Sequence, residues 1–268
     1  MISVFTHTLW GYRVGIALTA LGLFAINLLI VYTFEAFGGM EAAEQFEKLI
    51  PESLKGLFKA QGGFATNADG FLAADYRHPI YLVAVSALVI ALSSGAVAKE
   101  IERGTILMLL GCPLSRRQLL TAKTGAIVAG LLAVLLAAWL GTWMGSIVVG
   151  ITDQVNMTVF LRVQLNMLAL AVAIAGYALL ISALGSDGGQ TTAWTAGTTV
   201  GMFFLDFLAT LWSPAESLGP LSIFYYYDPL SIARDGGIPW LDISVLLGVG
   251  AVGFIAALVV FQRRDIAS

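Results

Sequence analysis

The 268-residue sequence contains few of the residues on which metal-binding, disulfide-bonded and nucleic-acid-binding proteins depend. It has one cysteine and two histidines, 12% of its residues are charged, and its net charge is -3. Because Cys112 has no second cysteine to pair with, an internal disulfide is excluded, and with His7 and His78 it matches no recognised metal-ligand spacing. The small negative charge provides no basic field for nucleic acid. The sequence therefore predicts no metal site and no nucleic-acid partner.

Motifs for nucleotide hydrolysis and for serine hydrolases are also missing. No lysine follows a glycine, so the chain lacks a G-K-[ST] phosphate loop and we do not expect it to hydrolyse ATP. No G-x-S-x-G sequence occurs either, which disfavours an intramembrane hydrolase. A dinucleotide-like G-x-G-x-x-G pattern lies inside an apolar run with no strand before it, so we interpret it as helix packing. The glycine pairs that predict close helix packing are Gly248-x-Gly250-x-x-Gly253, Gly141-x-x-x-Gly145 and Gly197-x-x-x-Gly201.

Apolar residues, in contrast, are abundant. The sequence is 58% hydrophobic with a mean hydropathy of +0.86, which excludes a soluble domain. A helix needs about 20 apolar residues to cross the hydrocarbon core. Runs of this kind predict an all-α membrane protein with six transmembrane helices, at about residues 14–34, 79–98, 120–149, 163–185, 190–212 and 243–262. An even number of spans places both termini on one side.

The distribution of lysine and arginine predicts which side that is. One face carries more basic than acidic residues, and short loops rich in lysine and arginine are typical of the cytoplasmic side. Both termini are therefore expected in the cytoplasm, and the loop 35–78 on the outer face. The basic residues of the cytoplasmic face are Arg13, Lys99, Arg103, Arg116, Arg117, Lys123, Arg263 and Arg264.

A charge-dense block, 99–118, separates the second and third spans. Its charged residues would each cost a few kcal/mol at the middle of a bilayer, so the block lies outside the lipid. Apolar positions within it predict a short amphipathic helix that ends at Gly111 and Pro113. Ser115, followed three residues later by Gln118, forms a capping box that begins the third span.

Two outer segments and three polar residues inside the spans allow further predictions. The loop 35–78 has an amphipathic helical pattern divided by Pro51, and 213–242, with four prolines, is expected to be partly re-entrant. Asp206 is the one charged residue of the predicted spans that does not belong to the basic cytoplasmic face, and it either serves transport or is satisfied by water or Arg234. Asn27 and Asn166 favour interhelical hydrogen bonds over substrate contact. These three polar residues are the candidates for a translocation path.

The charged block and two later motifs together resemble ABC-2 type permeases, the membrane subunits of ABC exporters. In the block, the residues that resemble the family's cytoplasmic loop are Glu100, Glu102, Gly104, Thr105, Leu109, Leu110, Pro113, Ser115, Arg116 and Lys123. The last outer loop of the family is similar to Ser222-Ile223-Phe224 with Asp228-Pro229, and its C-terminal end is similar to Phe261-x-Arg263-Arg264-Asp265.

This resemblance implies that residues 1–268 form one permease domain in a bacterial or archaeal inner membrane. It implies an ABC ATPase partner in two copies, which binds ATP and Mg, while this chain binds no cofactor. A second permease, identical or paralogous, and an amphiphilic substrate such as a drug, lipid or peptide are also implied. The residues implied to couple with the ATPase are Glu100, Glu102, Arg103, Gly104, Thr105, Ile106, Leu109, Leu110, Pro113, Ser115 and Arg116.

Two functions from other classes stay open at this point. One is an ATP-independent channel or secondary carrier, although the halves show no clear internal repeat. The other is a membrane-embedded enzyme. An ATPase that co-purifies with the chain would favour the exporter, and catalysis without such a partner would favour the enzyme.

The resemblance further implies an interfacial helix within the first twelve residues, before the first span.

Overall fold

The computed structural model describes residues 2–49, 67–106 and 114–265, and every regular element within these ranges is helical. Two of these elements are 3-10 helices, Ser213–Leu221 and Ile223–Tyr226. The all-α prediction is confirmed. The α-helices are α1 (Ile2–Ala36), α2 (Gly39–Leu49), α3 (Ala68–Arg77), α4 (Pro79–Ser93), α5 (Ala98–Glu102), α6 (Arg116–Val149), α7 (Met157–Leu184), α8 (Gly188–Leu211), α9 (Pro229–Asp235) and α10 (Trp240–Arg263).

Four of the described helices are long and apolar enough to cross a membrane, namely α1, α6, α7 and α10. The pair α3 and α4, bent by 47° at its junction, counts as a fifth candidate. The prediction of a multi-pass membrane protein is confirmed. Of the six predicted spans, the described helices provide four candidates, or five with the bent pair. The helix that falls short is α8, which has a suitable length of 24 residues but contains six threonines and Asp206.

Helix ends are set by polar residues just outside the predicted spans. Ser115 and Gln118 form both hydrogen bonds of a capping box, as the sequence predicts, so α6 begins four residues before the predicted span. Asn156 accepts a hydrogen bond from the backbone N–H of Thr158 and begins α7. Gly150, with a φ of +81°, ends α6 in the left-handed conformation that glycine adopts without strain.

Two boundaries differ from the sequence-based expectation. The predicted span 79–98 ends as a helix at Ser93, and turns then lead into the separate short helix α5. The first twelve residues are not a separate interfacial helix, because α1 runs without a break from Ile2 to Ala36. Apolar runs therefore located the helices correctly, but backbone turns inside such a run leave no signal in composition.

The helices α1 and α6 run parallel and pack through small residues of α6. A Cβ added at Gly141 would lie 2.4 Å from the Phe24 carbonyl oxygen, and one at Gly145 would lie 2.8 Å from Val31 Cβ. Such distances leave room for a hydrogen atom alone. The packing interpretation of this glycine pair is therefore confirmed.

The helices α7 and α10 approach each other even more closely. A Cβ at Gly176 would lie 2.4 Å from the Gly250 carbonyl oxygen, and one at Gly253 would lie 2.4 Å from the Gly176 carbonyl carbon. Nothing lies within 4 Å of a Cβ at Gly248, nor at Gly197 or Gly201. The packing interpretation holds for the second and third glycines of the G-x-G-x-x-G pattern, whereas the pair on α8 contacts nothing in the described protomer.

The variant Gly250→Val is expected to lower the free energy of unfolding by about 1–3 kcal/mol, because the added atoms meet α7 backbone that has no free space to move into. Gly248→Val makes the same chemical change two residues away on the same helix, where nothing lies within 4 Å, and should be close to neutral. Thermal unfolding of both variants in detergent micelles measures the difference. Equal melting temperatures for the two variants would contradict this packing.

The helix α7 occupies the centre of the bundle. In its most apolar stretch 67% of the residues are buried inside the protein, compared with 17% for α1. Large side chains that are nearly fully buried include Tyr76, Tyr81, Phe160 and Tyr227. Because these aromatic side chains surround the start of α7, that end of the bundle is tightly packed.

Several described segments outside the candidate spans are also helical. The expected amphipathic helix of loop 35–78 is present as α2, and its expected interruption at Pro51 lies outside the described residues. The segment 213–239 contains two 3-10 helices and the seven-residue α9. None of these is long enough to span, in keeping with the interpretation of 213–242 as a non-spanning segment. Its partial entry into the membrane stays a prediction.

Candidate functional site

Several helix ends meet at one end of the bundle, which we call the basic end. It consists of residues 94–106, 115–123, 182–192 and 261–265. Here Glu100 accepts a hydrogen bond from Lys123 Nζ at 2.7 Å, and Lys123 also donates to the Ala96 carbonyl oxygen at 2.7 Å. The Thr105 hydroxyl donates to the Glu100 carboxylate. These bonds attach the segment 98–106 to α6.

The electrostatics of Glu100 favour its charged form. Burial by itself raises the pKa of this carboxyl group, but the hydrogen bonds from Lys123 and Thr105 outweigh that effect, so the pKa lies below its ordinary value. The ion pair with Lys123 is partly shielded from water, because the Lys123 side chain is 8% exposed. The attraction in such a pair is less screened by water and salt than that between two exposed side chains.

A second carboxylate attaches the same segment to α8. Glu102 Oε2 accepts a hydrogen bond of 2.8 Å from the backbone N–H of Gly188, the first residue of α8. A carboxylate at this position also interacts favourably with the helix dipole. The approach is close, because a Cβ at Gly188 would lie 2.3 Å from Lys99 Cγ. The segment 98–106 is thus connected to α6 through one glutamate and to α8 through another.

Two arginines at the basic end bind the carbonyl oxygens of other helix ends. Arg116 donates to the carbonyl oxygens of Phe261 at 2.8 Å and Arg264 at 2.6 Å, at the C-terminus of α10. Arg264 in turn donates to those of Ala183 and Gly185, both at 2.7 Å, at the C-terminus of α7. Cations are favourable at helix C-termini. These contacts explain why an arginine occupies the first turn of α6, where it opposes that helix's own dipole.

Of the eleven predicted coupling residues, the half-buried Glu100, Thr105 and Arg116 make the bonds described above, and the other eight divide into three groups. Leu109, Leu110 and Pro113 lie outside the described residues. Ile106 is 2% exposed, so it stabilises the segment from within and is unavailable to a partner in this conformation. The residues with exposed positions beside the undescribed part are Glu102, Arg103, Gly104 and Ser115.

At the opposite end of the bundle, Asp206 is paired with Arg77. The Arg77 Nη2 and Asp206 Oδ2 atoms are 2.6 Å apart, and the two side chains are 6% and 4% exposed. Arg77 also donates to the carbonyl oxygens of Phe224, at 3.2 Å, and Tyr227. We call these four residues the Arg77 cluster. It joins α3, α8 and the segment after α8, and it gives Asp206 an ion-pair partner in Arg77.

The two asparagines of the predicted path make hydrogen bonds inside the protein. Asn166, which is fully buried, donates to the Tyr226 carbonyl oxygen at 3.1 Å and accepts from the Asp228 N–H at 3.3 Å. Asn27 is 3% exposed and accepts a hydrogen bond of 3.3 Å from the Thr142 hydroxyl. All three residues of the predicted path are thus buried and bonded to other parts of the described protomer, and their role in transport stays a prediction.

An apolar groove of about 230 Å³ lies between α4 and α8. Its wall includes one polar group of interest, Ser86, whose hydroxyl is buried and has no hydrogen-bond partner within the described residues. One end of the groove is closed by Phe224 of the Arg77 cluster. The apolar side chains of the groove include Leu82, Val83, Ile90, Val200 and Phe203.

A family model described as ABC-2 family transporter protein matches residues 13–266. The chain belongs to the ABC-2 transporter family. The match covers nearly the whole sequence, including most of α1 and all of the other described candidate spans. No curated protein and no solved structure matches the chain.

Membership in the ABC-2 family assigns the chain to the membrane component of an ABC transporter. That component is a non-catalytic permease, and ATP is hydrolysed in a separate subunit. ABC-2 permeases usually work with an ABC ATPase. The predicted family and the prediction that the chain is not an enzyme are both confirmed.

The sequence alone does not identify three residues of the Arg77 cluster and the basic end. Arg77 falls in the predicted outer loop 35–78. In the structure it lies directly before His78 and Pro79, at the bend that leads into α4. Gly188 stands after the N-cap Asp187, which marks a helix start but gives no sign of a close neighbour. Tyr227 lies in the segment 213–242, whose sequence does not predict that its carbonyl oxygen accepts a hydrogen bond from Arg77.

Proposed function

We propose that this chain is the permease subunit of an ATP-driven ABC-2 exporter that moves an amphiphilic substrate. The observation that carries the proposal is the attachment of segment 98–106 to two helices at once, through Glu100 to α6 and through Glu102 to α8. A segment held in this way can pass a displacement on its outer surface to both helices. Membership in the ABC-2 family supplies the source of that displacement, a separate ATPase.

In this proposal the ATPase binds the block 99–118 at the basic end. Leu109 and Leu110 are the apolar anchors, and the exposed Arg103 provides a charge at the rim of the contact. Buried apolar anchors carry most of the binding energy of such a contact, whereas rim charges mainly affect association rate and orientation. Pro113, Ser115 and Arg116 then fix the start of α6 relative to the contact.

The substrate path is proposed along the groove between α4 and α8. Its apolar wall suits the hydrophobic part of an amphiphile, and the Ser86 hydroxyl offers a hydrogen bond to a polar group. In this proposal Asp206, Asn27 and Asn166 hold the walls of the path in position and do not contact substrate. A second permease, identical or paralogous, would complete the path, with two ATPase subunits below that bind ATP and Mg.

The topology proposed for the chain has six spans, with α8 as the fifth and both termini in the cytoplasm of a bacterial or archaeal cell. Single cysteines at Gln154 and Gly237, introduced into a Cys112→Ala background, should react with a membrane-impermeant thiol reagent in intact cells. Both positions are exposed in the structure. A cysteine at Asp265, also exposed, should react only after the cells are opened. Labelling of Asp265 from outside would contradict this topology.

Co-purification tests the proposed function itself. We expect an ABC ATPase encoded beside this chain to co-purify with it from detergent extracts, and the complex to hydrolyse ATP faster than the ATPase alone. The rival function is an ATP-independent channel or secondary carrier. Flux through the purified chain in liposomes, with no ATPase and no ATP present, would establish that rival instead.

A further inference from the structure

A second groove lies on the surface of α6 and α7, away from the proposed substrate path. Its volume is about 490 Å³, which falls in the range of about 300–1,000 Å³ typical of ligand pockets. Much of its wall is made by leucines that the protein itself leaves uncovered, such as Leu132, Leu136 and Leu161, which are 50 to 57% exposed. In a membrane protein such a surface faces lipid.

The length of the groove matches one leaflet of a bilayer. On α7 it extends from Thr158 to Leu168. At 1.5 Å per helical residue, this distance is about 15 Å. The hydrocarbon core of a bilayer is about 30 Å thick, so the groove spans about half of it. A single acyl chain of one leaflet has this reach.

Polar groups are restricted to a few positions in this apolar wall. Arg162 lines the groove and donates one hydrogen bond, to the Gly236 carbonyl oxygen. Within the described residues it forms no ion pair, and a guanidinium has five N–H donors. Its long side chain can extend toward the headgroup layer. The cation is therefore available to an anionic group at the mouth of the groove.

A second polar side chain lies deeper in the wall. Gln164 lines the groove and is 6% exposed, and its Oε1 accepts a hydrogen bond of 2.9 Å from the Tyr81 hydroxyl. Its Nε2 has no hydrogen-bond partner within the described residues. A buried amide donor without a partner is unfavourable, so a ligand carbonyl that accepts a hydrogen bond from it would be stabilised.

We propose that this groove, which we call the lipid groove, binds one phospholipid with an anionic headgroup. The acyl chain lies along the leucines of α6 and α7, an ester carbonyl accepts a hydrogen bond from Gln164, and the phosphate pairs with Arg162. The headgroup is anionic because the cation at the mouth has no carboxylate partner within the described ranges. The lipid groove depends only on the membrane location of the chain and is independent of its proposed transport function.

Native mass spectrometry of the purified chain tests the lipid groove, after incorporation into nanodiscs with equal amounts of phosphatidylglycerol and phosphatidylcholine. The parent should retain one phosphatidylglycerol through detergent release. Arg162→Gln should reduce the preference for phosphatidylglycerol by about tenfold, the loss expected for one charge-assisted contact. Leu165→Trp, which fills the groove and leaves Arg162 in place, should reduce retention of both lipids.

Matched variants separate this site from general lipid contact. Arg234→Gln removes a different exposed arginine, and Leu21→Trp enlarges a different lipid-facing leucine that is 65% exposed. Both should retain lipid like the parent, and Arg162→Lys should keep the headgroup preference because it keeps the charge. If Arg162→Gln and Leu165→Trp retain the same lipids as these controls, the bound lipid is only annular and the proposal is overturned.

Discussion

Replacing Asp206 with alanine should lower the free energy of unfolding by about 3–5 kcal/mol, the cost of removing one partner of a buried ion pair. The Arg77 side chain is 6% exposed, so its charge would stay buried after the carboxylate is gone. Two backbone carbonyl oxygens, of Phe224 and Tyr227, would remain as its only described contacts, and neither carries a full charge. Unfolding in mixed micelles, followed by circular dichroism, measures the loss.

Two controls determine whether the loss comes from the buried charge. The double variant Arg77→Met with Asp206→Leu removes both charges and should be less destabilised than Asp206→Ala alone. Asp235→Ala removes the partner of Arg234 in an exposed pair, where both side chains are more than half exposed, and should cost less than about 1 kcal/mol. If Asp206→Ala and Asp235→Ala proved equally mild, the Arg77 cluster would not stabilise the fold.

The Arg77 cluster also changes the interpretation of Asp206. An ionisable residue inside a span suggests transport chemistry when only the sequence is considered. It is paired with an arginine that lies 129 residues earlier in the chain, and together they hold the bend between α3 and α4 against α8. The carboxylate therefore connects helices in the structure, while its role in transport stays a prediction. Its influence on transport, in the proposed function, passes through the shape of the groove between α4 and α8.

Composition and charge were sufficient to predict the helical class and the locations of most helices. Membrane helices must satisfy their backbone hydrogen bonds internally, so a long apolar run has few alternatives to an α-helix. The capping box at Ser115 and Gln118 was predictable for a similar reason, because its two hydrogen bonds join residues only three positions apart. Interactions between residues close together in the sequence determine these features.

Contacts between distant parts of the chain were not predictable in this way. The bond from the Gly188 N–H to Glu102 joins residues 86 positions apart, and the bonds of Arg116 to the end of α10 span more than 140. A single sequence shows that these residues are charged or small, but it does not show which helix ends meet. The helix α8 is less apolar than the other predicted spans because of its threonines. Hydroxyls of these threonines donate to carbonyl oxygens of the same helix, so they do not need water.

The second large effect is expected at Leu109, which is proposed as an anchor for the ATPase. Leu109→Asp should weaken association with the ATPase by about thirtyfold or more, since burying an unpaired carboxylate costs at least the roughly 2 kcal/mol that a buried anchor contributes. Leu49→Asp makes the same chemical change at the exposed end of α2, where the leucine is 80% exposed, and should leave association unchanged. Arg103→Ala, a rim change, should have a small effect.

The most direct test of the proposed coupling is the dissociation constant of the ATPase for the permease in nanodiscs, measured together with the rate of ATP hydrolysis by the complex. We predict that parent, Leu49→Asp and Arg103→Ala bind within a few-fold of one another and stimulate hydrolysis, while Leu109→Asp loses both binding and stimulation. If Leu109→Asp binds the ATPase and stimulates hydrolysis like the parent, the block 99–118 merely connects two helices, and the proposed coupling is wrong.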